Sequence, residues 1–281
     1  MIKIINHLVQ LQELHLARAE QEISQRPASH LAQLDESIDA LLGDLPEEVE
    51  RPFVRMQQKD PLAIVPITEK NCSACGMGLP TSLIQAVRIA DQLHHCPNCG
   101  RFLYVTSAAP RRIAASLGRR RNEPPKVGIE RFSSPELMIP QLAATDRDGA
   151  IRELCDLMQT YQFVDNAGRL YEEALNREAI VSTAVDHGLA FPHVRGVEGG
   201  GLTLALGVSE KGLRFGGPAR TLTRIVFFMV IPTAASAFYL KLLAGLTQSF
   251  HKEEARKKLM AADTPAALWK VLLKATKSCI N

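Results

Sequence analysis

The chain has 281 residues, 46% of them hydrophobic, which is room for one large or two smaller domains with a true core. Its 33 Lys and Arg against 30 Asp and Glu exclude a polycation dedicated along its whole length to nucleic acid. The longest apolar run, 225–231, falls far short of the roughly 20 residues of a membrane span, and the opening "MIKIINHLVQ" has neither the apolar core nor the cleavage site of a secretory signal. The expectation is a cytoplasmic chain without membrane insertion, its cysteines reduced or metal-bound.

Residues 1–69 read as a helical arm. Ile4, Leu8, Leu11 and His15 or Leu16 form one stripe; after Pro27, Leu31, Leu34, Ile38, Leu41, Leu42 and Leu45 form a second at helical spacing, with Ser29 as N-cap and Gly43 as stop. Such short amphipathic helices cannot bury both faces alone, so they form a hairpin, dimerise with a second copy of the chain, or pack on the remainder. This segment is acidic: residues 1–105 hold 9 Lys/Arg and 13 Asp/Glu.

Residues 70–105 are a cysteine module. "CSACG" and "CPNCG" place Cys72, Cys75, Cys96 and Cys99 as two C-x2-C pairs, the spacing of a zinc ribbon. Two cysteines three positions apart on a tight turn aim both sulfurs at one centre, and the glycine after each pair permits that turn. Four thiolates complete a tetrahedral Zn2+ shell with no open position, so the metal expected is structural. Redox dithiols or unrelated free thiols are the rival readings. His94 and His95 are expected at strand or surface positions, and Cys155 and Cys279 as ordinary free cysteines.

Residues 106–129 mix Pro, Ser and Gly with Arg111, Arg112, Arg119, Arg120, Arg121 and Lys126, and read as an exposed basic linker able to touch phosphates. Residues 130–281 turn globular. Helices are expected over 148–160, 168–179, 235–250, 252–260 and 264–276, and strands over 202–208 and 224–231, the second apolar enough to be buried on both faces. Helices alternating with strands argue for an α/β layer fold.

"GLAFPHVRG" holds the most pointed residue. An apolar run stops at Pro192, whose ring fixes the backbone entering His193, and glycines bound the stretch, so His193 is expected at an exposed corner. An imidazole there can serve as general base, metal ligand or phosphoryl acceptor. No Ser or Cys elbow stands near for a base to activate, and beyond His187 no ligand cluster is visible. A phosphoryl acceptor needs only a free ring nitrogen, an open approach and donors for the phosphoryl oxygens, which Arg177 and the backbone of the glycine-rich 196–201 loop could supply.

Two resemblances bear on these motifs. Residues 1–105, through the cysteine pairs and the "CPNCGRFLY" tail, closely resemble a bacterial C4-type zinc-ribbon domain carried on a coiled-coil hairpin, where the ribbon is an interaction module for protein or nucleic acid. From about residue 131 to the end, the chain resembles the type-2 enzyme IIA domain of the bacterial phosphotransferase system, in its fructose/mannitol and nitrogen-regulatory branches. Arg177-Glu178, Ser182-Thr183, Gly188, Ala190, Pro192 and His193 match that family's pattern. The fold implied is an enzyme IIA-like mixed β-sheet flanked by helices, preceded by the helical hairpin arm and the small ribbon. The resemblance implies that His193 accepts a phosphoryl group from a histidine phosphocarrier protein and that Arg177 is the active-site arginine. Where the family carries a second histidine this chain has Tyr239, which can donate a hydrogen bond but cannot act as an imidazole. With no permease or enzyme IIB segment in the sequence, a regulatory role stands ahead of sugar import. The alternative from another class is a non-phosphorylated scaffold that binds protein or nucleic acid.

Overall fold

The computed structural model describes residues 1–24, 28–105, 127–196, 202–216 and 221–280. The chain divides into two units: one holds the N-terminal helices and the cysteine module and takes in Thr233–Leu240, and the other holds the rest of the C-terminal half. The arginines expected to form a basic linker lie outside the described residues.

In the first unit α1 (Ile2–Ile23), α2 (Ala28–Gly43) and α3 (Glu47–Gln57) carry the two predicted stripes. Leu8, Leu11 and Leu14 meet Leu34, Ile38, Val49 and Phe53 in one buried cluster, which continues onto Ile64 and Phe102 of the cysteine module. Each such side chain contributes about 1.5–3 kcal/mol on burial. The arm is thus a hairpin, tied by the Arg18–Asp35 ion pair, and it packs on the module. The buried Gln12 Oε1 accepts from the N–H groups of Ala63 and Ile64 at 2.7 and 2.9 Å, which fixes α1 to the start of β1 (Ile64–Thr68). One expectation fails here. Ser29 is not the N-cap, because α2 already begins at Ala28 and Ser29 falls in its first turn, where the N–H groups have no intrahelical partner in any case. The module's sheet runs β2 (Asn71–Cys72), β1, β4 (Phe102–Tyr104), β3 (His94–His95), and α4 (Thr81–Ile89) bridges the two cysteine pairs.

The second unit is built on β10 (Thr223–Ile231), buried at every position except Arg224, as its apolar run requires. Along one side it pairs antiparallel with β9 (Thr203–Leu213), longer than the predicted 202–208. Beyond β9 lies β5 (Met138–Ile139), parallel to it. Along its other side β10 meets β7 (Leu189–Ala190) and β8 (His193–Arg195), both parallel, and β6 (Ala184–Val185) closes the edge against β7. The sheet is mixed, with order β5-β9-β10-β7-β6. Helices α5 (Arg147–Thr160) and α6 (Ala167–Ile180) start on caps, Asp146 accepting from the Gly149 N–H and Asn166 from the Arg169 N–H. They pack on each other, and α6 lies against β8. After β10 come α7 (Ser236–Phe250), α8 (Glu253–Met260) and α9 (Pro265–Thr276), close to the predicted bounds. Among the described residues no helix is long and apolar enough to cross a membrane.

Candidate phosphoryl-acceptor site and cysteine cluster

His193 does not stand at an exposed corner. Its residue is 1% exposed. Leu189 faces Ile225 and His193 faces Met229, so β7 and β8 hold one register on β10 across Phe191 and Pro192. Pro192 lacks an N–H, but its carbonyl still accepts from Met229 at 3.0 Å, while Phe191 turns its N–H to the Thr183 carbonyl at 3.1 Å. The proline therefore interrupts a strand without ending it, and the histidine is carried back into the sheet. Upstream, His187 and Gly188 at φ 66° and 73° make the sharp turn into β7. A Cβ at Gly188 would come within 3.1 Å of the Leu222 carbonyl.

The imidazole is held at both nitrogens. Nδ1 lies 3.0 Å from the Phe191 carbonyl, and Arg177 Nε lies 3.3 Å from Nε2. A carbonyl only accepts and a guanidinium only donates, so both contacts require the same tautomer: hydrogen on Nδ1, lone pair on Nε2. Arg177 comes from the last turn of α6, is 7% exposed, and is steadied by Nη1 donating to the Val181 carbonyl at 3.1 Å. The two residues expected to share a site are thus in contact, and Arg177 is no solvated helix-end arginine.

Glu178, 4% exposed, accepts from the Thr183 hydroxyl and, at 3.1 Å, from the Thr183 N–H. This clamp closes the turn that carries the Val181 carbonyl, the second hold on Arg177. Burial pushes the Glu178 carboxyl up, while the Thr183 hydrogen bonds and the charges of Arg177 and Arg147 pull it down less strongly. The sequence motif contains Glu178 and Thr183 without giving them a role; a glutamate in the last turn of a helix with a hydroxyl five residues on was the available signal. Arg195, two residues beyond His193 in β8, lies on the same face by strand alternation. Tyr239 is buried in the first turns of α7, at 1% exposure. Gly199, Gly200 and Gly201 lie outside the described residues.

The four cysteines form the other candidate site. Two knuckles repeat one geometry. Cys72 N–H bonds the Met77 carbonyl and Gly76 N–H bonds the Cys72 carbonyl, at 2.9 and 2.8 Å. Cys96 N–H bonds the Arg101 carbonyl and Gly100 N–H bonds the Cys96 carbonyl, at 2.8 and 2.9 Å. Gly76 and Gly100 sit at φ 72° and 75°, as the tight turn demands. The four Sγ atoms lie within 4.8 Å of one another, and the Cys72–Cys99 and Cys75–Cys96 pairs are each 3.7 Å apart. A tetrahedron with Zn–S near 2.3 Å has edges of about 3.8 Å, so the donor set fits zinc. Burial pushes the Cys72 thiol up to about 12. Burial also raises Cys75, but hydrogen bonds from the Met77 backbone and the Asn98 side chain bring it down to about 6. His94 and His95 form β3 and belong to no metal cluster among the described residues. Cys155 is buried in α5 with its thiol pushed up by burial, an inert core residue.

Comparison with known proteins agrees with both halves. Residues 131–275 match the family described as phosphoenolpyruvate-dependent sugar phosphotransferase system, EIIA 2, and residues 71–103 match a C4-type zinc ribbon domain. The chain is 26% identical over 144 residues to the fructose-specific EIIA component of Haloferax volcanii, covering 51% of this chain and 94% of that protein. It is 26% identical over 139 residues to a nitrogen regulatory protein of Bradyrhizobium diazoefficiens, covering 50% and 90%. Among solved structures it is similar to the nitrogen regulatory protein IIA-Ntr of Neisseria meningitidis, with TM-score 0.47, 19% identity, and coverage of 50% and 96%.

Proposed function

The chain belongs to the EIIA 2 family of the phosphoenolpyruvate-dependent sugar phosphotransferase system, and from that premise we propose that it accepts a phosphoryl group on Nε2 of His193 from a histidine phosphocarrier protein. The observation that carries the reading is the pair of hydrogen bonds that leave Nε2 as the nucleophilic nitrogen with Arg177 beside it. Nε2 attacks the phosphorus of the donor's phosphohistidine. The donor P–N bond breaks, and its electron pair returns to the donor imidazole. No proton need leave His193: its Nδ1–H stays on the Phe191 carbonyl, which offsets the positive charge that develops on the ring. Arg177 moves from the Nε2 lone pair onto the phosphoryl oxygens as the bond forms. Because such transfers rest on positioning and charge stabilisation, one arginine held this way is enough to matter. The burial of His193 adds a requirement: the side chains covering the imidazole must move aside when the donor docks.

The downstream role we assign is regulatory. Tyr239 stands where the resemblance expects a second histidine, so onward transfer to an enzyme IIB partner should be poor while the phosphorylated form persists. Relatives of both the sugar and the nitrogen branch match at 26% identity and do not separate these roles. The zinc we assign to Cys72, Cys75, Cys96 and Cys99 is structural, since four thiolates leave no position for substrate. One observation favours a rival: with His193 at 1% exposure, the domain could serve as a scaffold that is never phosphorylated. Incubation with phosphoenolpyruvate, enzyme I and phosphocarrier protein separates the two, because only the first reading predicts phosphoryl uptake that depends on His193.

A further inference from the structure

A second concave site lies within the first unit. A cavity of about 230 Å³ opens between α3 and the second cysteine knuckle, and its lining includes Arg51, Arg55, Met56, Lys59 and His95. Its charge is one-sided. Residues 1–105 carry 9 Lys/Arg against 13 Asp/Glu, yet three of those nine cations line this one cavity and no carboxylate does. The spacing explains the cluster: Arg51 and Arg55 lie one turn apart on α3, about 6 Å at 1.5 Å per residue, and Lys59 follows just past its end. Arg51 is paired with Glu47, whereas among the described residues Arg55 and Lys59 make no ion pair. The nearby Asp60 is held by Arg101 at 2.6 Å and neutralised there. A helix dipole alone favours cations at this end of α3. It does not account for what faces them.

The rest of the lining is Pro52, Met56, His95 and Gly100. The His95 ring is fixed by its Nδ1 hydrogen bond to the Gly100 carbonyl at 2.9 Å and backed by Phe102, 4.3 Å between ring centroids. Met56 closes the floor so tightly that a Cβ at Gly100 would lie 3.3 Å from its Cε. A rigid ring and a thioether beside three cations suit a flat aromatic group joined to phosphates. We propose that this cavity binds a free nucleotide carrying more than one phosphate, its base against His95 and Met56 and its phosphates on Arg51, Arg55 and Lys59. A free ligand is favoured over a nucleic-acid strand because the cationic stripe is short. A strand leaving it would run over a unit whose net charge is negative, starting with Glu47, Glu48 and Glu50 at the other end of α3.

The test is calorimetric titration of the full-length, zinc-loaded chain with ATP, AMP, inorganic phosphate and a short single-stranded oligothymidylate. ATP is expected to bind, more tightly than AMP and much more tightly than phosphate. The double variant Arg55→Ala, Lys59→Ala should weaken ATP by at least about tenfold through loss of two charge-assisted contacts. The single variant Lys59→Glu, placed beyond the end of α3, should weaken it as well, and Lys70→Ala should leave it unchanged. Zinc content and melting temperature report whether each variant is folded. The proposal is overturned if ATP gives no binding at low salt, if the folded variants bind as the wild type does, if phosphate binds as tightly as ATP, or if the oligonucleotide binds more tightly than ATP.

Discussion

Replacing Arg177 with alanine separates its chemistry from its packing. In the resting site the change removes the donors to His193 Nε2 and to the Val181 carbonyl. Removing the donor to a buried or half-buried acceptor costs roughly 1–3 kcal/mol each. At about 2–4 °C per kcal/mol for a domain of this size, a total near 3 kcal/mol lowers the melting temperature by about 6–12 °C. The kinetic loss is separate. A preorganised donor aimed at charge that develops in the transition state is worth about 10²–10³ in rate. Phosphoryl uptake from a labelled phosphocarrier, followed by rapid quench well below the variant's melting temperature, should therefore slow by about a hundredfold or more, with modification still confined to His193. Arg177→Lys should recover part of the stability and less of the rate, because a point charge cannot replace the planar fork. If Arg177→Ala takes up the phosphoryl group within about threefold of the wild-type rate, Arg177 is a packing residue and the charge argument is wrong.

Freshly purified, reduced protein should hold one zinc per chain by elemental analysis; Cys96→Ser should lose it and raise amide exchange across residues 71–105 while leaving phosphoryl uptake intact, since zinc binding and folding of such small modules are coupled by about 10 kcal/mol or more. Glu178 gives a pH signature. Burial holds its carboxyl above the ordinary 4.5, and stability from a raised carboxyl is complete below the unfolded value and is lost as pH rises through the folded one. The melting temperature of the wild type relative to Glu178→Gln should therefore fall as pH rises above 4.5 and level off once the carboxyl has ionised; a constant difference from about pH 4 to 8 would refute the assignment.

How much of this was readable from residues varies with how local the signal is. The cysteine spacing gave the four-sulfur cluster, because a C-x2-C turn closes on itself and needs only its own glycine. The apolar stripes gave the helices of the arm and most helix bounds, because 3.6-residue periodicity is also local, while the hairpin was one of three arrangements they allowed. Arg177 was named as a donor for a phosphoryl group on His193 and singled out by the resemblance, but no spacing gave their contact. The burial of His193 was not legible at all. A proline before a histidine and a glycine-rich stretch after it read as a corner, and nothing in those nine residues says that β8 resumes the register of β7 on β10. That fact belongs to the partner strand, whose paired residues lie 36 positions further on. The Glu178–Thr183 clamp was hidden for a related reason: a glutamate in the last turn of an amphipathic helix reads as solvated until the strand beyond it is placed.

The central claim is that His193 is the phosphoryl acceptor. Its most direct measurement is the intact mass of the full chain after incubation with phosphoenolpyruvate, enzyme I and phosphocarrier protein, with the modified residue located by fragmentation under neutral conditions. One acid-labile phosphoryl group is expected, on His193, absent from a His193→Gln variant whose zinc content and melting temperature show that it is folded. No uptake by the wild type, or equal uptake by the variant, would contradict it.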